Sequence, residues 1–218
     1  MRVVLLGPPA SGKGTHGRRL AASCGLDYLS TGALLRENVE QSSPLGRAAE
    51  PILARGGYLP DALMFPVIAD WLGKNSQGAG WVLDGFPRSL PQVNFLDEQL
   101  AHSGLFLDFA IALEVPFAEL LGRIQGRVEC PACRWSGQKI QLASGGQCPQ
   151  CGGLTAPRPD DDEVNFRNRH AEFTQLTAPV IEHYRTAGKL LAIPATAPKD
   201  QVSTSILEKL NAAFSAKL

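Results

Sequence analysis

Two hydrophobic rhythms alternate along the chain. Val3-Val4-Leu5-Leu6 is an unbroken apolar run with two β-branched residues that stops at Gly7-Pro8-Pro9, which predicts a buried strand entering a loop. Beyond the loop, Leu20, Ala21 and Ala22, with Arg18 and Arg19 for an exposed face, predict a helix ended by Gly25. Leu26–Ser30 suits a short strand, and Ser30-Thr31-Gly32 opens a further helix with Ser30 or Thr31 as its N-cap. From Glu37 to Pro60 the pattern is broken by Ser42-Ser43-Pro44, Pro51 and Gly56-Gly57. Short helices joined by turns are expected there, more an inserted flap than a core layer.

The same alternation continues. Leu63, Val67, Ile68, Trp71 and Leu72 share one helical face, and Trp81-Val82-Leu83 reads as a buried strand that delivers Asp84 at its C-terminal end. Leu90–Leu100 predicts a helix, Phe106–Leu113 a strand, and Phe117–Gln125 a helix with Arg123 and Arg127 at its end. A long helix through about Ala187, a strand at Leu190–Ile193 and an amphipathic helix from Gln201 to Phe214 complete the chain. Strands alternating with helices imply an α/β fold, a parallel sheet covered on both faces.

Composition narrows the function. At 218 residues, one domain with insertions is expected. The 21 lysines and arginines balance the 21 aspartates and glutamates, which argues against nucleic-acid binding as the main activity. No apolar stretch approaches membrane length, and the N-terminus runs straight into a strand, so a cytoplasmic protein without membrane contact is expected.

Two patterns carry chemistry. Gly7, Gly12 and Lys13 fit Gly-x4-Gly-Lys between a strand and a helix, the context in which backbone amides and a helix N-terminus cradle phosphate; Gly14 follows, and the hydroxyl comes at Thr15. A Gly-rich turn without a ligand would not account for the lysine. Cys130, Cys133, Cys148 and Cys151 form two Cys-x-x-Cys pairs inside 22 residues, a strong tetrahedral metal signal in a segment too polar to build its own core. Cys24, near Ala21, Ala22 and Leu26, is expected to be a small packing residue. Asp84 could also be a turn or cap residue, and the dense run Arg158, Asp160, Asp161, Asp162, Arg167, Arg169 could be a solvated face. The four histidines are scattered and suggest no role.

Taken together, Gly7–Thr15, Ser30-Thr31-Gly32 with Arg36, Asp84–Arg88 with Gln92, Arg123 with Arg127, and Arg158 through Arg169 resemble the bacterial adenylate kinases with a long, metal-bearing lid, over the whole chain. The resemblance implies a P-loop core at residues 1–29, 60–125 and 162–218, a helical insertion binding the nucleoside monophosphate at 30–59 and a zinc-binding lid at 126–161. The implied reaction is reversible, Mg-dependent transfer from ATP to AMP giving two ADP, by a monomer. Ala10, Ser11, Gly12, Lys13, Gly14 and Thr15 would cradle ATP phosphates, with Arg123 on the ATP base and Arg127 on the phosphates. Arg36, Arg88, Arg158 and Arg169 would clamp phosphates. Thr31, Gly57, Tyr58, Leu59, Gly85, Phe86, Pro87 and Gln92 would border AMP, Asp84 would orient magnesium, and the four cysteines would hold structural zinc. Trp135 stands in for an aromatic displaced from its usual place after the second cysteine. A kinase for another nucleoside monophosphate is disfavoured by Thr31 with Gln92. A nucleotide-regulated zinc-ribbon binding nucleic acid would need more basic residues than Arg134 and Lys139 between the cysteines.

Overall fold

A computed structural model of the chain describes residues 1–75, 78–142, 145–158 and 161–216; Asp160, in the charged run above, lies outside the described residues. The strands are β1 (Arg2–Leu6), β2 (Asp27–Ser30), β3 (Trp81–Asp84), β4 (Phe109–Glu114), β5 (Arg127–Glu129), β6 (Ser136–Gln138) and β7 (Leu190–Pro194). β5 and β6 pair antiparallel as a separate hairpin, and the other five form one parallel sheet in the order β2-β3-β1-β4-β7. The helices are α1 (Lys13–Cys24), α2 (Thr31–Glu40), α3 (Pro44–Leu53), α4 (Asp61–Asn75), α5 (Leu90–His102), α6 (Phe117–Gln125), α7 (Glu163–Glu172), α8 (Ala178–Thr186) and α9 (Lys199–Ser215).

Strand periodicity divides the core between the two faces of the sheet. Val4 and Leu6 of β1 pack with Ile68, Leu96, Val180 and Tyr184 from α4, α5 and α8. Val3 and Leu5 point the other way, onto Leu20 of α1 and Val202, Ile206 and Leu210 of α9. All are buried, so truncating any large one to alanine should cost about 2–5 kcal/mol. Register then aligns the functional edge: Leu5 and Ser30 both pair with Asp84, and Leu6 pairs with Ala112. The loop after β1, the N-terminus of α2 and the Asp84 carboxylate therefore meet at the C-terminal edge of the sheet, where such folds place their ligands.

Several expectations need correction. β4 begins at Phe109 and not at Phe106, because Asp108 is tied to β1 from outside the strand: the Arg2 amide donates to its carboxylate (2.6 Å) and its amide to Arg2 O (3.0 Å), while Phe106 stays exposed. α6 spans Phe117–Gln125 as expected, but Arg127, placed at its end, opens β5 instead. The long helix is interrupted at Phe173–Thr177 by a π turn, in which the Ala178 amide reaches back five residues to Phe173 O. Cys24 is exposed: it is the last residue of α1, beyond the buried face formed by His16, Gly17, Leu20 and Ala21.

Candidate active site

The loop between β1 and α1 takes a path that needs glycine. Gly7 has φ 143°, and a Cβ there would lie 2.8 Å from Ser11 Oγ and 2.9 Å from Leu113 O; Gly12, at the N-cap of α1, has φ 98°. No side chain caps α1, so the Lys13 and Gly14 amides at its start remain for a ligand, while the Thr15 amide donates to Gly12 O (3.0 Å). Lys13 Nζ donates to Gly7 O (2.7 Å) and Pro8 O (2.8 Å), which fixes the ammonium across the mouth of the loop. Burial lowers the Lys13 pKa; Asp84 opposes this, Arg88, Arg127 and Arg169 reinforce it, and the value falls from 10.5 to about 8.

A cleft of about 360 Å³ opens over this loop. Among the described residues it is lined by ten cations, Lys13, Arg18, Arg36, Arg88, Arg123, Arg127, Arg134, Arg158, Arg169 and Lys199, against two carboxylates, Asp84 and Glu129. Such an excess suits a polyanion. Three of the arginines share two acids, Asp161 and Glu129. Arg127 makes a two-point pair with Asp161, which also accepts from Arg169 (3.3 Å). Burial works to raise the Asp161 pKa, but the hydrogen bond and charge of Arg127, with Arg158 and Arg169, outweigh it and hold the carboxyl below its ordinary range. Arg158 pairs with Glu129 (Nε to Oε2 2.7 Å, Nη2 to Oε1 3.2 Å, the second with hydrogen-bond geometry). Burial, then the charges of Arg127 and Arg36, brings Arg158 down to about 10.

Asp84 and Arg88 occupy opposite ends of a short turn containing a cis Phe86–Pro87 bond. Tyr28 Oη donates to Asp84 Oδ2 (3.0 Å), and Thr31 Oγ1 to Asp84 O (3.2 Å). Arg88 donates from Nε to Gly85 O (2.6 Å) and stacks 4.1 Å over the Tyr58 ring, while its carbonyl accepts from Thr177 Oγ1 (3.0 Å). The Tyr58 amide donates to Glu172 (2.8 Å). Elsewhere in the cleft, Arg123 donates to Ala195 O (2.6 Å) and Glu119 (2.5 Å). His16 lies against Ser203 (Nδ1 to Oγ 3.0 Å), and burial, with Arg19, Arg123 and Lys199, lowers it to about 4, so it is neutral at pH 7.

Gln92 is more committed than the sequence suggests. Its Oε1 accepts from the Arg88 amide (2.8 Å) and its Nε2 donates to Asp61 (2.7 Å), leaving one N–H and one lone pair. Of the residues expected at the site, Ala10, Gly12, Lys13, Gly14, Thr15, Arg36, Tyr58, Asp84, Gly85, Pro87, Arg88, Arg123, Arg127, Arg158 and Arg169 line the cleft; Ser11, Thr31, Gly57, Leu59, Phe86 and Gln92 do not. The sequence reading missed Tyr28, Arg134, Glu129, Asp161 and Thr177, all set by contacts distant in sequence, and it offered no role for His16.

The cysteine segment folds as two matched turns. The Cys130 carbonyl accepts from Arg134 N (2.8 Å) and the Cys148 carbonyl from Gly152 N (2.9 Å), with Arg134 at φ 60° and Gly152 at φ 76°. The four Sγ atoms lie within 4.8 Å of one another, with Cys130–Cys151 at 3.5 Å and Cys133–Cys148 at 3.6 Å, all free thiols. Four sulfurs about 2.3 Å from one tetrahedral centre would sit at nearly this spacing, so the donor set fits zinc. From the first turn Arg134 reaches Glu40 at the end of α2 (2.8 Å).

Comparison with known proteins agrees with this geometry. The sequence model of the family described as "Adenylate kinase" matches residues 5–189. The chain is 36% identical over 212 residues to a protein named "Adenylate kinase" from Thermodesulfovibrio yellowstonii, covering 94% of this chain and 97% of that one. Proteins of the same name from Streptomyces coelicolor (37% over 213 residues; 96% and 98% covered) and Thermosipho africanus (38% over 209 residues; 95% and 98% covered) are similarly close.

Proposed function

This chain belongs to the adenylate kinase family and is a nucleoside monophosphate kinase that transfers a phosphoryl group reversibly between ATP and AMP; we propose the division of labour among its residues that follows. The observation that carries it is Lys13, pinned by two carbonyls within a cleft of ten cations and two carboxylates. Phosphoryl transfer needs positioning and charge stabilisation more than a nucleophile or strong base, and this inventory supplies both.

In this reading, residues 10–15 cradle the ATP phosphates through the amides at the start of α1, Lys13 draws charge from the transferring group, and Arg123 stacks on the ATP base. Arg36 and Arg88 hold the AMP phosphate, and Arg127, Arg158 and Arg169 gather on the group in flight. Asp161 and Glu129 keep three of these guanidiniums in place before phosphate arrives, so less ordering remains on binding. Tyr58, Gly85 and Pro87 border AMP. Gln92, Thr31, Gly57, Leu59 and Phe86 shape that wall from behind, Gln92 with the one N–H and lone pair it retains.

Asp84 is a hard oxygen donor in a cationic cleft, with only Tyr28 donating to its carboxylate among the described residues, a setting that fits Mg²⁺ bound with ATP. Magnesium would neutralise phosphate charge. Cys130, Cys133, Cys148 and Cys151 would hold Zn²⁺ as a closed structural site, supplying stability where the segment lacks apolar residues.

Residues 30–59 then act as the AMP-side flap, 126–161 as the lid and the remainder as the core; closing both keeps water from the phosphoryl group. Clustered free thiols suit a reducing cytoplasm, and we assign the protein there as a monomer. No described helix is long and apolar enough to cross a membrane. The test is a coupled assay with ATP and each of AMP, GMP, CMP and UMP. AMP should have the highest kcat/KM, and equal values for AMP and UMP would overturn the assignment of the AMP wall.

A further inference from the structure

Tyr28 belongs to the edge strand β2, away from the phosphate-binding loop, yet its hydroxyl ends 3.0 Å from Asp84 Oδ2. The fold makes room for it at a cost. Gly17 lies inside α1, where glycine is about 1 kcal/mol worse than alanine. A Cβ at Gly17 would lie 2.7 Å from Tyr28 Cε2 and 2.6 Å from Leu5 Cδ1, so the ring can pass beneath α1 only because that residue is glycine. At the next turn of α1 toward its N-terminus, the space above Gly14 opens onto Asp84 Oδ2 (3.5 Å) and Tyr28 Oη (3.7 Å), and Arg18 covers the ring at 5.9 Å.

We propose that Tyr28 is a positioning residue for the reaction: its hydroxyl holds one oxygen of Asp84, so that the other stays available to the magnesium hydration shell. The inference rests on the reading of Asp84 as the metal-orienting carboxylate. Without that tether, a carboxylate close enough to Lys13 to raise its pKa would be drawn onto that ammonium, cancelling charge that the phosphates need.

The experiment compares Tyr28→Phe, Asp84→Ala and the double variant. Mn²⁺ affinity of the enzyme–ATP complex is read from the electron paramagnetic resonance signal of free Mn²⁺, and metal-free AMP affinity by calorimetry. Tyr28→Phe keeps the ring in its slot. It should weaken Mn²⁺ binding about three- to tenfold, the range of one ordinary hydrogen bond, and leave AMP affinity unchanged. The double variant should match Asp84→Ala alone, since Tyr28 acts through that carboxylate. Wild-type Mn²⁺ affinity in Tyr28→Phe beside a weakened Asp84→Ala would overturn the inference and leave the reading of Asp84 standing. Additive losses in the double variant would also overturn it. Unchanged affinity in Asp84→Ala would instead remove the reading on which it rests.

Discussion

Replacing Lys13 by methionine should stabilise the protein near neutral pH and abolish most of its chemistry. The ammonium is held in a poorly solvated position where its pKa falls from 10.5 to about 8, a change worth about 3 kcal/mol. With the folded-state value below the unfolded one, the unfolded chain holds more protons between pH 8 and 10.5. The cost of the buried charge is thus fully present below pH 8 and is relieved as pH rises through that window. Methionine removes the charge and also the two hydrogen bonds to Gly7 O and Pro8 O, each worth about 1 kcal/mol. The net gain at pH 7 is about 1 kcal/mol, or roughly 2–4 °C in Tm for a chain of this size. Near pH 10.5 the wild type has shed its penalty, and the variant should be the less stable by about 2 kcal/mol. Melting curves of both proteins from pH 6.5 to 10.5 should therefore cross. Turnover of the variant, measured by a coupled assay, should drop by at least about 10²–10³-fold, the loss seen when one preorganised donor to a transition-state oxyanion is removed. A stability difference that does not change with pH would refute the buried-charge argument, and near-wild-type turnover would refute the role assigned to the loop.

Arg169→Ala should cut kcat by orders of magnitude with little change in Tm, because Asp161 keeps its two-point pair with Arg127; a change confined to Tm would return Arg169 to the solvated-face reading. Cys148→Ser, or prolonged chelation, should lower Tm while activity well below melting survives in part. Elemental analysis showing no metal, together with unchanged melting, would exclude the zinc site. Gln92→Ala should narrow the preference for AMP over other monophosphates and also destabilise the fold by about 1–3 kcal/mol, since Asp61 and the Arg88 amide lose their partner; a variant with intact selectivity would show that Gln92 serves the fold alone.

What could be read from the chain was local. The apolar run, the glycines at 7 and 12 and the lysine at 13 encode the phosphate loop within a few residues, and Cys-x-x-Cys spacing encodes its own turn. The start of β4 is hidden in the sequence because Phe106-Leu107 is as apolar as the strand it precedes; only the bonds between Asp108 and Arg2 distinguish them. The β5–β6 hairpin is polar and Gly-containing, with no period-2 signal, and its pairing depends on cysteine turns that lie outside both strands. The acids that hold the arginines could not be ranked from sequence. Asp161 and Arg127 are 34 residues apart, and Asp161 sits in a charged run whose members look alike until burial separates them. Gln92 was recognised as a polar residue of the AMP wall, but its ties to Asp61 and the Arg88 amide arise only from tertiary packing.

The π turn at Phe173–Thr177 has consequences for how this chain can evolve in length. Downstream of it, Val180 and Tyr184 are locked into the core; just upstream, Glu172 holds the Tyr58 amide and Arg169 reaches Asp161; within it, Thr177 supports Arg88. A π turn carries one residue more than the α-helix would need over the same span. Deleting a single residue between 173 and 177 would let the backbone relax to a continuous α-helix over the same span, so everything upstream would keep its orientation about the axis relative to Val180 and Tyr184. The lineage could therefore lose one codon in this segment and still point the guanidinium of Arg169 and the carboxylate of Glu172 at their partners, whereas a deletion in the ordinary α-helical turns on either side would swing them away.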